Sequence, residues 1–144
     1  MNTNADAWND PTKSVACQCS TSGLLSGYRA RKGLPADAPM DGRIFFEAVH
    51  AGETEANETL RSFCRAVAVQ IYNLNVLLDL EKVAIGGGIS AAEALLPAIQ
   101  AELDWLFERC TVMPTVKPEL VRCRYGNDAN LIGALKLFFE QNPA

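Results

Sequence analysis

The sequence predicts a mainly helical α/β domain with two short parallel strands at its centre, and three observations lead there. Over residues 55–78 the apolar side chains Leu60, Phe63, Cys64, Val67, Ile71, Leu74 and Leu78 recur at steps of three and four, the period of one buried face of a long helix. Two short runs flank a helical stretch: "KVAIGG" beginning at Lys82, with β-branched Val83 and Ile85, and "ELVRCRY" beginning at Glu119, where Leu120, Arg122 and Arg124 alternate with Val121, Cys123 and Tyr125; strands joined through a helix pair in parallel by a right-handed crossover. Three consecutive glycines, Gly86, Gly87 and Gly88, join the first run to that helix. Such a run costs chain entropy that an ordinary turn does not require.

Composition sets the outer limits. The 144 residues are 49% hydrophobic and 21% charged with a formal net charge of -4, the balance of one globular domain. The basic residues are scattered, so no electrostatic footprint for nucleic acid or an anionic membrane is expected. The opening "MNTNADAWNDPTKS" is too polar for a leader or anchor, and the cytoplasm is the expected compartment. Five cysteines, an odd number in mostly apolar contexts, suit reduced thiols there. Cys64 and Cys123 read as core. Cys17 and Cys19 in "ACQCS" raise zinc, but a structural site takes four Cys or His ligands and His50 is the single histidine, so no zinc is expected.

The elements follow in chain order. The first twenty residues read as irregular, because Asn, Asp, Pro, Thr and Ser replace any apolar period, with 1–15 set apart as an N-terminal segment and helix expected from about Ser20. "STSGLLSGYRARKG" reads as a helix with Ser and Thr at its start and Gly33 at its end. Asp41 is placed to cap a short helix in "GRIFFEAVHAG", closed at Gly52. In the long helix that follows, Glu53, Glu55 and Glu58 crowd the first turn, where unpaired N–H groups favour negative charge.

Between the two strands, Ser90 and Glu93 have the spacing of a capping box. Pro97 would break a single helix, so the segment is expected to make one short turn and restart, with "LLPAIQAELDWLFERC" as its body. Glycines at the carboxyl end of a parallel strand have two readings: bare backbone against which a flat or anionic ligand lies, or a tight turn with close helix-to-sheet packing. The residues alone leave both open. In the last unit Asn127 or Asp128 is expected to cap a helix whose buried side is Leu131, Ile132, Leu135, Phe138 and Phe139. Asp128 also has the chemistry of a general base, but Asp is a preferred cap, and no histidine or second carboxylate supports catalysis.

"NLNVLLDLEKVAIGGGIS", followed by "RYGNDANLIGALKLF", with "CSTSGLLSGYRARKG" and "DGRIFFEAVHAG" upstream, resembles the C-terminal part of the family grouping repressors, open reading frames and kinases, known as ROK. The resemblance runs from about Ala16 onward, so residues 16–144 are expected to form one lobe. It implies part of an actin-like, hexokinase-like (ribonuclease H-like) ATPase fold. In the family's sugar kinases the strand-Gly-Gly-Gly turn lies against the adenosine of ATP, which assigns Gly86, Gly87 and Gly88 to nucleotide contact, with Mg²⁺ acting in the complete kinase.

The family's Asp-and-Gly phosphate loop, Asn-Asp catalytic motif, Gly-Thr-Gly loop and Gly-Glu-x-Gly-His stretch have no counterparts in these residues. "NDAN" at 127–130 is spelled like the catalytic motif but sits where the family has its C-terminal helix, so no catalytic residue is assigned. The family's zinc pattern also fails, since Ser20, Thr21 and Ser22 follow Cys19. The expectation is the nucleotide-side lobe of an ATP-dependent sugar kinase, inactive alone, whose partner is a missing N-terminal lobe or a second copy in a homodimer. The alternatives are a non-catalytic docking module and the sugar-sensing part of a ROK regulator. Regulators carry a DNA-reading helix pair ahead of this region, and no such basic pair is present.

Overall fold

A computed structural model describes residues 9–10, 13–110 and 115–142. Ten of the first fifteen residues lie outside that description. Within the stretch read as irregular, Ser14 nonetheless starts a one-turn helix, α1 (Val15–Gln18), by accepting a hydrogen bond from the Cys17 N–H at 3.2 Å. Ser20 does the same for α2 (Thr21–Lys32), accepting from Gly23 at 3.1 Å, and Gly33 closes that helix. Asp41 caps α3 (Gly42–His50) through Oδ1, which accepts from the Ile44 N–H at 2.9 Å.

The long helix α4 runs Thr54–Leu78, as its period predicts. Its first-turn charge differs from expectation. Only Glu55 lies in the first turn; Glu53 precedes it and turns away to accept from the Tyr28 hydroxyl at 2.7 Å and to pair with Lys32. The Lys32 bond first, then the Tyr28 bond, holds the Glu53 carboxyl below its ordinary value. Burial and the Glu53 bond push the Tyr28 hydroxyl up.

Strand β1 (Lys82–Ile85) is followed by a 3-10 turn at Gly88–Ala91 and helix α5 (Leu95–Arg109). Pro97 falls in the first turn of α5, where a missing N–H breaks nothing, so the predicted short turn and restart are both found. The predicted capping box is not. Ser90 is buried and its hydroxyl donates backward to the Gly87 carbonyl at 2.7 Å, which fixes the turn rather than a helix start. Strand β2 (Glu119–Arg122) pairs with β1 in parallel, Lys82 opposite Glu119 and Ile85 opposite Arg122.

The core lies between α4 and α5. Leu60, Phe63, Cys64 and Ile71 from α4 meet Leu95, Ile99, Leu103 and Leu106 from α5, with Leu24 and Tyr28 of α2 and Phe45 of α3 closing one end. Tyr28 and Phe45 pack edge to face at 5.1 Å. Burial pushes the Cys64 thiol up to about 12, helped by the nearby Glu102 charge. Glu102 is itself buried, and it accepts from Arg61 Nε at 3.1 Å and Arg65 Nε at 2.7 Å.

Helix α6 (Ala129–Gln141) overturns its predicted burial. None of its 13 residues is buried, and Leu131, Leu135, Phe138 and Phe139 are more than half exposed. The far end of the α4 stripe fails in the same way: Leu74 and Leu78 are 40% and 63% exposed. The described residues supply no surface to cover either. Among the described residues no helix is long and apolar enough to cross a membrane.

Candidate functional site

The glycine bend is set by three internal constraints. The Cys123 N–H donates to the Ile85 carbonyl at 2.8 Å, extending the ladder one step and setting Cys123 against Gly86. A Cβ at Gly86 would stand 3.0 Å from the Cys123 Sγ, tight enough that the Cys123 side chain would have to give by a few tenths of an ångström. Gly87 has φ 88° and ψ 174°, a conformation that side-chain-bearing residues avoid. The Gly87 carbonyl is then tied down by both the N–H and the hydroxyl of Ser90. Gly86 and Gly87 thus each have a reason within the chain to be glycine.

The bend is nonetheless open. Gly86, Gly87 and Gly88 are all exposed, and Gly88 borders a groove of about 690 Å³. The opposite wall is α3, whose Arg43, Phe46, Glu47 and His50 follow one another at helical spacing along one face. In its lining Phe46 is buried and Ile89 and Ala92 are half-buried, while Thr21, Asp41, Arg43, Glu47 and His50 are exposed. A Cβ at Gly42 would lie 3.3 Å from the Ile89 side chain, so α3 and the 3-10 turn are in close contact at the groove's end. Two rim carboxylates are already engaged. Asp41 caps α3, and Glu47 accepts from Arg43 at 2.8 Å.

The placement of β1 and β2 rests on Asn75, which the sequence reading passed over. Its side chain is 1% exposed. The amide nitrogen donates to Thr115 Oγ1 and to the Val116 carbonyl, and the amide oxygen accepts from the Leu80 N–H at 3.0 Å. One residue thus pins the chain both entering β1 and entering β2. The signal was an asparagine on the apolar side of α4, a position where burial demands that every amide atom find a partner.

Asp128 sits at the amino end of α6 with φ -81° and ψ -6° and makes no side-chain cap bond. Capping needs an extended cap residue whose side chain folds back over the first turn, and the 3-10 turn Gly126–Asp128 runs straight into the helix instead. The Asn127 side chain lies outside the description. Cys17 is exposed and Cys19 half-buried beside the one-turn α1, whereas His50 is on the groove rim in α3. Among the described residues no group of three or more His, Cys, Asp or Glu is arranged to hold a metal ion.

Comparisons with known proteins bear on this arrangement. The family model described as ROK family matches residues 6–141. An N-acetylmannosamine kinase of Haemophilus influenzae (strain PittGG) is 28% identical over 131 residues, covering 87% of this chain and 41% of that protein. A beta-glucoside kinase of Klebsiella pneumoniae is 28% identical over 139 residues, covering 96% and 44%. A solved ROK family protein from Streptococcus pneumoniae TIGR4, in complex with sucrose, matches with a TM-score of 0.81 at 26% identity, over 98% of this chain and 47% of that one. A ROK family glucokinase from Streptomyces griseus, in complex with glucose and AMPPNP, matches with a TM-score of 0.74 at 20% identity, over 87% and 44%; that likeness concerns fold. The chain spans less than half the length of each of these relatives.

Proposed function

The chain belongs to the ROK family, and from that premise we propose that it is the nucleotide-side, C-terminal lobe of an ATP-dependent sugar kinase acting in the cytoplasm. The observation that carries the reading is the exposed glycine bend at the carboxyl end of a parallel strand, opening onto a groove. Ligands in open α/β sheets bind beyond the carboxyl ends of the strands, and backbone without side chains lets a nucleotide approach closely. Because Gly86 and Gly87 have internal reasons to be glycine, the support comes from the bend's exposure and from Gly88 at the groove edge rather than from the glycine count. Kinases among the relatives, one solved with AMPPNP, support adenine nucleotide as the ligand.

Phosphoryl transfer needs the sugar hydroxyl, Mg²⁺ and γ-phosphate held in line between two walls. These residues furnish one wall. Asp41 and Glu47, the carboxylates nearest the bend's groove, are occupied as a helix cap and an ion pair, so Mg²⁺ and the phosphates would be held by the other half. A protein made of these 144 residues alone is expected to bind AMPPNP weakly and to show no sugar-dependent ATP turnover. Titration by calorimetry and a coupled ADP assay check both. Sugar-dependent turnover by the pure chain would overturn the division of labour, and absence of AMPPNP binding at millimolar concentration would overturn the nucleotide role.

A second observation favours a docking role alongside the first. Many large apolar residues of α6 and of the α4 carboxyl end are exposed, more than a stable solitary domain ordinarily leaves uncovered. We assign the exposed apolar residues of α6 and of the α4 carboxyl end to contact with the half of the kinase that the relatives possess and these residues do not span; in its absence a second copy takes its place.

A further inference from the structure

The fold brings together arginines that the sequence holds apart. Arg61 and Arg65 lie one turn apart on α4, and with Arg31 of α2, Glu58 and Ser62 they line a hollow of about 320 Å³ that shares no residue with the groove beside Gly88. We propose that this hollow binds a phosphate group, either as inorganic phosphate or as the end of a small phosphate monoester. Charge gives the first reason. Glu102, buried on α5, is the common counterion of Arg61 and Arg65, accepting from Arg61 Nε on one oxygen at 3.1 Å and from Arg65 Nε on the other at 2.7 Å. One carboxylate thus balances two guanidinium groups. Glu58, the carboxylate within the lining, is matched by Arg31 at 3.2 Å, so the hollow keeps a positive charge in excess. Arg109 adds another beside it, since it lies over the Trp105 ring as Arg65 does.

The donors give the second reason. A guanidinium carries five N–H groups, and among the described residues the hydrogen bonds that hold Arg61 and Arg65 run from Nε to Glu102. Terminal N–H groups remain for a ligand. Arg31 spends Nη1 on Glu58 and Nη2 on the Ser62 hydroxyl, so it supplies charge and shape. Arg65 is held by Glu102 and by the Trp105 ring, 4.3 Å from the ring centre, and a fork already in place loses little freedom when an anion arrives. Two such forks suit an oxyanion with several oxygens and more than one charge. A carboxylate, with two oxygens and one charge, would leave a fork unmet. Nucleic acid fits no better, because three arginines in one hollow make no track along a backbone. Arg31 and Ser62 also border a second hollow of about 350 Å³ beside Gly27, Thr59 and Phe63, which gives the organic part of a monoester a place to lie.

The test is a titration of the ¹⁵N-labelled chain with inorganic phosphate, phenyl phosphate and acetate, read at the arginine Nε–H and Trp105 indole signals. Ionic strength is held constant at about pH 8, where a phosphate monoester is a dianion. Both phosphates are expected to shift Arg61, Arg65 and Trp105 saturably at millimolar concentration, with acetate at least tenfold weaker and Arg43, paired with Glu47 on α3, left in place. Tighter binding of phenyl phosphate than of phosphate would support a monoester as the source, and the reverse order would support the free ion. Arg61→Gln, at a side chain 70% exposed, leaves Glu102 paired with Arg65 and is expected to weaken phosphate binding at least tenfold with the melting midpoint little changed. Arg61→Lys keeps the charge without the fork and should lose less. Acetate binding as well as phosphate, shifts spread equally over all exposed arginines, or no shift at all would each overturn the proposal. Should Arg61→Gln not fold, the arginine map of the unaltered chain decides alone. AMPPNP binding should be the same in Arg61→Gln as in the unaltered chain, so failure here leaves the nucleotide lobe standing.

Discussion

Helices α5 and α6 carry similar stripes of large apolar residues and meet opposite fates. In α5, Leu95, Ile99, Leu103 and Leu106 are all at most 7% exposed, because α4 lies alongside them. In α6, Leu131, Leu135 and Phe138 are 71%, 56% and 58% exposed. Helix α4 contains the same contrast within itself, with Leu60 and Ile71 covered and Leu77 and Leu78 open to solvent. The difference teaches that a helical period identifies a face needing cover, whereas the identity of the cover depends on what else the fold contains. The chain spans under half of its relatives' length, and most of its exposed large apolar side chains lie on α6 and the α4 carboxyl end, with Val116 and Tyr125 among those elsewhere.

The largest expected effect breaks or establishes that contrast directly. Leu103→Ala removes a fully buried side chain from the α4–α5 core and is expected to cost about 3 kcal/mol of stability, the middle of the range for such cavities. Leu135→Ala, on exposed α6, is expected to change stability by no more than about 0.5 kcal/mol. Urea denaturation of the two variants measures both. Equal losses would mean that α6 is covered by the chain itself.

The face that does not stabilise the chain alone should still govern its association. Leu135→Glu combined with Phe138→Glu places two charges on the exposed side of α6 and is expected to weaken self-association at least tenfold while leaving the melting midpoint within a few degrees. Light scattering across a concentration series reads this. An unaltered chain that stays monomeric at the highest concentrations would remove α6 as a self-docking surface.

Much of the body was legible because its signals are local. Ser20, Asp41 and Gly33 mark helix ends by short-range hydrogen bonds and backbone conformation, and the restart at Pro97 follows from a missing N–H. The parallel pairing of β1 and β2 followed from the helix between them. What was not legible depends on neighbours distant in sequence. The groove pairs α3 with a turn some 40 positions later, Asn75 ties to Thr115 and Val116, and Glu53 leaves its own helix for Tyr28 and Lys32. Ser90 and Glu93 had a correct capping spacing, but the hydroxyl is taken by the Gly87 carbonyl. The glycine run is plain in the sequence, while the contact that favours glycine at 86 lies across the sheet at Cys123.

The bend sharpens the comparison, since it is exposed like α6 yet fixed like the body. Gly87→Ala is expected to cost about 1–2 kcal/mol from left-handed backbone strain, although no neighbour lies within 4 Å of the added Cβ. Gly86→Ala meets the Cys123 Sγ at 3.0 Å, and overpacking of that kind costs about 1 kcal/mol or more. The two losses differ in remedy. Cys123→Ala should restore most of the stability lost by Gly86→Ala and none of that lost by Gly87→Ala, so a double-mutant cycle separates contact from conformation. A rescue of both would indicate that the whole bend shifts as one piece.

The smallest effect concerns pH and belongs to the body. Helix α6 holds only a pair between its own exposed Lys136 and Glu140 among its described side chains, whereas Tyr28, Lys32 and Glu53 join α2 to the start of α4. Glu53 is held below its ordinary value by Lys32 and then Tyr28, so its contribution is complete above the ordinary carboxylate range and fades as pH falls through its lowered value. Lys32 is raised, first by its bond to Glu53, and Tyr28 is raised by burial and by Glu53. Their contributions are complete below their ordinary values and fade as pH rises through the raised ones. Glu53→Gln removes the shared charge and should flatten the melting midpoint's pH dependence at both ends. The same substitution at Glu140 should leave the profile unmoved. Because Lys32 and Glu53 are only partly buried, the change should be modest and should shrink further in high salt; a profile that kept both shoulders in Glu53→Gln would place the pH-sensitive tie elsewhere, with the Asp104 carboxyl, lowered by Lys117, the next group to replace on the acid side.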